Sequence, residues 1–170
     1  IDTRSAMEGF SLIEVLVALF VLSIGLLGLA ALQTTGLRFS HQSYERTQAT
    51  LQAYDIIDRM RTNKSGTGDT VNTTYNDVSL DSAPGTTDCA TATVPPGCNG
   101  TQLAEYDLRQ WNNANAGILA KGRGAICKGT FTNDANNYPT GCTQSGSIYR
   151  IAITWRENDL YMRQDVDAQL

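Results

Sequence analysis

The sequence predicts an α+β protein in which a long N-terminal helix packs on a small antiparallel β-sheet with disulfide-stapled loops. Three observations carry the prediction. An apolar run from Phe10 to Leu32 contains one ionisable residue, Glu14. A polar but still helical pattern continues that run to Thr62. Strand-like alternation is confined to the stretch after Gly122, where Cys127 and Cys142 also lie.

Composition narrows the function classes. The chain has 170 residues and a formal net charge of -4. A spanning helix leaves on the order of 110 residues, which is about one ordinary domain. Lysines and arginines are scattered, without a basic stripe interleaved with aromatic residues, so nucleic-acid binding has no electrostatic footprint. The densest basic cluster, Lys121, Arg123 and Lys128, reads as a solvated strand edge. No serine or cysteine nucleophile stands with a histidine base, and no glycine-rich phosphate loop is present, so no catalytic residue, enzymatic activity or cofactor is expected. His41 is the single histidine, and it forms no finger spacing with the cysteines. Asn133-Asp134-Ala135-Asn136-Asn137 has a superficial likeness to a calcium loop, but Pro139 stands where an EF-hand loop has glycine. No metal site is expected.

The elements follow in chain order. Residues 1–8 carry Asp2, Arg4 and Glu8 without periodicity and are set apart from the fold. Phe10–Leu32 exceeds the roughly 20 apolar residues that cross a bilayer as a helix, and it is too long for a signal-peptide core. The candidate cleavage site, Gly9 before Phe10, lies ahead of the apolar run, whereas a secretory signal is cut behind it. A carboxylate within such a run costs roughly 2.5 to 3.5 kcal/mol on insertion scales, so Glu14 calls for a cation. Arg4 and Arg38 are the nearest in sequence and neither is one helical turn away, which points to a partner on another molecule. The alternative is that Glu14 lies near the membrane interface and reaches water. Gly25 and Gly28 each weaken a helix by roughly 1 kcal/mol relative to alanine, a cost that a lone span in lipid tolerates. The same glycines would also allow close packing of helices.

From Gln33 to Arg61 there is no proline, and apolar or aromatic residues recur at Leu37, Tyr44, Leu51, Tyr54, Ile57 and Met60. We expect this stripe to be the buried face. Asp55 with Arg59 and Asp58 with Arg61 stand at helical ion-pair spacings. A continuous helix from Phe10 to Thr62 would be on the order of 80 Å long at roughly 1.5 Å per residue. Residues 64–100 are rich in Thr, Gly, Asn, Ser and Pro and read as a long loop region. A short helix is expected next, capped by Thr101, with Leu103, Tyr106, Leu108 and Trp111 on its apolar face and Gly117 at its end. Two strands, 125–131 and 147–156, flank a Gly/Asn/Pro loop, and Tyr149, Ile151, Ile153 and Trp155 share one face of the second. Glu157-Asn158-Asp159 turns the chain into a last strand that ends near Val166. Three strands on the upper half of the long helix would bury the stripe.

The four cysteines, Cys89, Cys98, Cys127 and Cys142, all lie on the far side of the span. An even count in an exported domain favours disulfides. Three connectivities are possible; Cys89–Cys98 with Cys127–Cys142 closes the shortest loops and is the expected pairing.

Gly9-Phe10-Ser11-Leu12-Ile13-Glu14-Val15-Leu16-Val17-Ala18 resembles the N-terminal signature of type IV pilins and of type II secretion pseudopilins. That resemblance implies a pilin fold and cleavage by a prepilin peptidase between Gly9 and Phe10. It further implies N-methylation of the new Phe10 amine, and pairing of Glu14 with the N-terminal amine of a neighbouring subunit during assembly. It implies a local stretching of the helix near Gly25 and Gly28, although many major pilins have a proline where this chain has Ala31. The helix end Asp58-Arg59-Met60-Arg61 resembles that of the minor pilins known as type IV pilus modification protein PilV. Its residues equally suit a plain amphipathic helix end with cations near the C-terminal dipole.

The organisation implied is a leader, residues 1–9; a transmembrane and assembly half of the helix, 10–35; and a periplasmic globular domain, 36–170. Within that domain a helix occupies 36–62, loops 63–100, and the short helix and sheet 101–170. The function implied is that of a minor pilin, held single-pass in the inner membrane and then placed in the priming or tip complex of a type IV pilus. Its expected partners are other minor pilins, the major pilin, the prepilin peptidase, the inner-membrane assembly machinery and the membrane itself. A minor pseudopilin of a type II secretion system is the alternative within the same fold. An adhesin or ligand-binding tip module, with function in 64–100 or 132–145, is the alternative of another class.

Overall fold

A computed structural model describes residues 11–64, 71–81, 85, 88–89 and 97–170. The leader and the Gly9–Phe10 junction lie outside the described residues, as does much of the 64–100 loop region. The chain divides into two compact units, Ile1–Ser43 and Tyr44–Leu170. Helix α1, Leu12–Thr62, contributes to both, and it continues unbroken through Gly25 and Gly28.

In the second unit, α1 buries Glu45, Ala49, Ala53, Ile56, Ile57 and Met60. This corrects the expected stripe. Ile57 and Met60 are inside, but Tyr44, Leu51 and Tyr54 are each more than half exposed. The physical reason is the size of what must approach. Ala49 and Ala53 present the smallest side chains of the helix, so bulky neighbours can come close to its backbone there. Trp111 does so and donates its indole Nε1–H to the Gln52 carbonyl at 2.8 Å.

Helix α2, Gly100–Ile118, starts with a reciprocal cap at Asn99 rather than at Thr101. The Asn99 side chain accepts from the Gln102 amide at 2.9 Å, and the Gln102 side chain accepts from the Asn99 amide at 3.0 Å. Asn99 has extended backbone angles, as a capping residue must, whereas Thr101 is already inside the helix. The helix also runs through Gly117; it ends where Leu119 turns extended and buries its side chain. The tight spot is Gly122, where a Cβ would come within 2.2 Å of the Asn115 carbonyl oxygen.

Four antiparallel strands form the main sheet in the order β1-β2-β5-β6: Asp77–Val78, Arg123–Lys128, Ile148–Glu157 and Leu160–Gln169. A second, two-stranded sheet joins β3, Phe131–Asn133, to β4, Pro139–Cys142. The expected single strand 125–131 is thus broken. Gly129 takes φ 121°, a conformation that suits glycine, and this redirects Phe131 into the smaller sheet. The last strand also runs on to Gln169, because β5 and β6 stay paired from Glu157↔Leu160 to Ile148↔Gln169.

The sheet is buried on both faces, which explains the long unbroken burial of β5. Opposed residues Ile126 and Ile151 share a face with Tyr149, Ile153 and Trp155, and these pack with α1 and α2 around Trp111. On the other face, Ala125, Cys127 and Ala152 pack with Leu80 and Phe131. The small sheet therefore acts as a lid on that face, and alternation alone would have left it solvated.

Candidate functional site

The first unit is a helix with its apolar side chains exposed. Leu12, Phe20, Leu27 and Leu32 are each at least two-thirds exposed, and among the described residues α1 is the one helix long and apolar enough to cross a membrane. Its hydroxyl groups are turned inward onto the backbone: Ser23 donates to the Leu19 carbonyl at 2.7 Å and Thr34 to that of Ala30 at 2.6 Å. Such back-bonding lets a hydroxyl enter lipid without an unmet donor.

Glu14 lies in the first turn of α1 and is exposed. Its amide donates to the Ser11 carbonyl at 3.0 Å, and its negative charge suits the positive end of the helix dipole. Among the described residues no cation pairs with its carboxylate. Gly25 and Gly28 have nothing within 4 Å of where a Cβ would stand, so their smallness serves no contact inside this chain.

The cysteines pair as Cys89–Cys98 and Cys127–Cys142. Cys127 is fully buried in β2, so its bond to Cys142 fastens β4 and the small sheet over the outer face of the main one. The Cys89–Cys98 bond closes its loop directly ahead of the Asn99 cap.

The end of α1 carries a polar cluster that sequence spacing shows only in part. Asp55–Arg59 and Asp58–Arg61 pair at 3.0 Å, as expected from their spacing. Arg59 also reaches Asp107 of α2 at 3.1 Å, and the Tyr75 hydroxyl donates to the same carboxylate at 2.8 Å. Asn63 completes the cluster, donating to the Gly100 carbonyl at 2.7 Å. Burial is the main force pushing the Tyr75 phenol pKa well above its ordinary value. Nothing in the sequence near Asp107 signals these contacts, because its partners lie 32 and 48 residues away. The group fixes α1, α2 and the turn Thr73–Tyr75 to one another; it is structural in character.

A long helix apolar at its N-terminal end, a helix-backed antiparallel sheet and two disulfides together define a pilin-type α+β fold. The chain belongs to the type IV pilin family. The family model described as type IV pilin Tt1218 matches residues 31–109, and that of the prokaryotic N-terminal methylation motif matches residues 4–30. The latter stretch contains Gly9, Phe10 and Glu14. The motif implies processing by a prepilin peptidase and assembly into a pilus. Searches of curated proteins and of solved structures find no match.

Proposed function

We propose that this pilin is a minor subunit of the kind called type IV pilus modification protein PilV, acting in the priming or tip complex of the filament. The observation that carries the reading is Glu14, a carboxylate on an exposed apolar helix with no cation among the described residues of its own chain. Residues 10–35 hold the subunit in the inner membrane, with residues 36–170 in the periplasm. Peptidase cleavage between Gly9 and Phe10 frees an amine, which is N-methylated at Phe10. Assembly then moves the apolar helix from lipid into a bundle of like helices, where the Phe10 amine of a neighbouring major or minor pilin neutralises Glu14. The Asp58-Arg59-Met60-Arg61 helix end and the stapled loops favour a pilus over a type II secretion pseudopilus.

The test is Glu14→Ala in cells, with membrane and pilus fractions assayed separately. Membrane content should be unchanged and pilus content should fall roughly tenfold or more, as expected when an ion pair worth about 2 kcal/mol in lipid is removed. Undiminished pilus content would refute the role. Mass identification of subunits co-purified with the full chain from membranes then separates the two systems, since secretion components would overturn the pilus assignment.

A further inference from the structure

The second unit contains a cleft of about 560 Å³ beside the C-terminal end of α2, within the size range of small-ligand sites. It is built from chain segments far apart in sequence. Asp81 follows β1, Lys121 and Arg123 open β2, Tyr138 precedes β4, and Tyr161 belongs to β6, with buried Thr154 of β5 also in its lining. We propose that this cleft binds a saccharide bearing a carboxylate, of the uronic-acid type.

The chemistry of the lining selects the class. Tyr138 and Tyr161 meet edge to face with ring centroids 5.1 Å apart, and Tyr161 remains 52% exposed. The C–H faces of a sugar ring are weakly electropositive and pack on the negative faces of such rings. Sugar hydroxyls need donors and acceptors side by side. Asp81 and Arg123 supply them, joined to each other by an ion pair, with Arg123 also donating to the Leu80 carbonyl. Burial first, and then the Asp81 charge, raises the Tyr138 phenol pKa, so this hydroxyl stays a donor across the physiological range.

Lys121 supplies the preference for an acid. It is exposed and has no ion-pair partner among the described residues, in a chain whose net charge is -4. It also holds φ 53°, a left-handed conformation that costs a lysine roughly 1 kcal/mol or more. With Gly122 already required against the Asn115 carbonyl, the turn could have used a second small residue; it keeps a cation at the mouth of the cleft instead. A nucleic-acid strand is disfavoured, since the lining offers two cations and one carboxylate rather than a track of phosphate contacts.

The experiment is saturation-transfer NMR on the full chain in detergent micelles. The probes are trisaccharides of galacturonate, mannuronate and guluronate, the neutral galactose trisaccharide, and the oligonucleotide dT6. At least one uronate should bind with a Kd on the order of 1 mM, ahead of the neutral sugar and of dT6. Lys121→Ala should weaken that uronate about fivefold and leave galactose unchanged, as expected for one exposed ion pair. Tyr161→Ala should abolish saccharide binding while the near-ultraviolet dichroism of the folded domain persists. Absence of uronate binding, equal binding of galactose, preference for dT6, or indifference of the uronate to both substitutions would each overturn the proposal.

Discussion

The indole Nε1–H of Trp155 donates to the Glu45 carboxylate at 3.1 Å, joining β5 to α1 across 110 residues of sequence. Both side chains are buried, so the bond is made where a lost partner is expensive. Trp155→Phe keeps most of the ring and removes the donor. We expect it to lower stability by about 1 to 3 kcal/mol, read from the urea midpoint of the full chain in detergent, with the fold retained. A change below about 0.5 kcal/mol would show that the bond contributes little.

Glycine is required at 124 for reasons of space. A Cβ there would stand 2.1 Å from the Trp111 ring, which is itself fully buried. Gly124→Ala should therefore destabilise by about 1 to 3 kcal/mol through overpacking. Gly28→Ala meets nothing within 4 Å and should raise helix stability by up to about 1 kcal/mol in the isolated subunit. If neighbouring helices use that gap, the same variant should enter the pilus less well, which the ratio of pilus to membrane content measures.

The two disulfides should differ in weight. In the chain-entropy model the Cys127–Cys142 bond, with a sequence separation of 15, is worth about 3 kcal/mol. The Cys89–Cys98 bond, with a separation of 9, is worth about 0.5 kcal/mol less by the same model. Loss of the first should cost further stability, because it also releases the small sheet from the outer face of the main one. Urea midpoints of the two double Cys→Ala variants give the order, and a non-reduced digest checks the pairing.

The pH dependence should be asymmetric. Tyr75, Tyr138 and Tyr149 all have raised phenol pKa values, with burial the leading cause in each. An unfolded chain releases these protons near pH 10, so the folded state's advantage is complete below about pH 10 and is lost as the pH rises beyond it. Asp167 is shifted down, first by the hydrogen bond from Arg150. Its contribution is present above the ordinary carboxylate value of 3.8 and is lost as pH falls below it. With side chains 32% and 48% exposed, that pair is worth only a few tenths of a kcal/mol. The alkaline arm should thus be the steeper one in urea midpoints taken from pH 3 to 11, and Tyr75→Phe should flatten it while costing about 1 kcal/mol near neutrality.

What the sequence determined by itself is local or periodic. The apolar run with its one carboxylate, the helical reach to Thr62, the face shared by Tyr149, Ile151, Ile153 and Trp155, and the ion pairs of Arg59 and Arg61 all follow from spacing along one element. The pilin class followed as well, because its signature is a contiguous N-terminal segment. Only the tertiary structure decided which side of α1 is inside. Aromatic stripes and alanine stripes are both compatible with a helix, and the choice depends on how closely Trp111 must approach the backbone. It likewise decided that Gly129 breaks a strand, that the small sheet covers the outer face, and that Asp107 gathers Arg59 and Tyr75. The cleft is the clearest case, since Asp81, Lys121, Tyr138 and Tyr161 become neighbours only when strands distant in the chain are paired. Hydrophobic periodicity reports on a residue's own element, whereas a site made between elements depends on contacts whose partners no local pattern specifies.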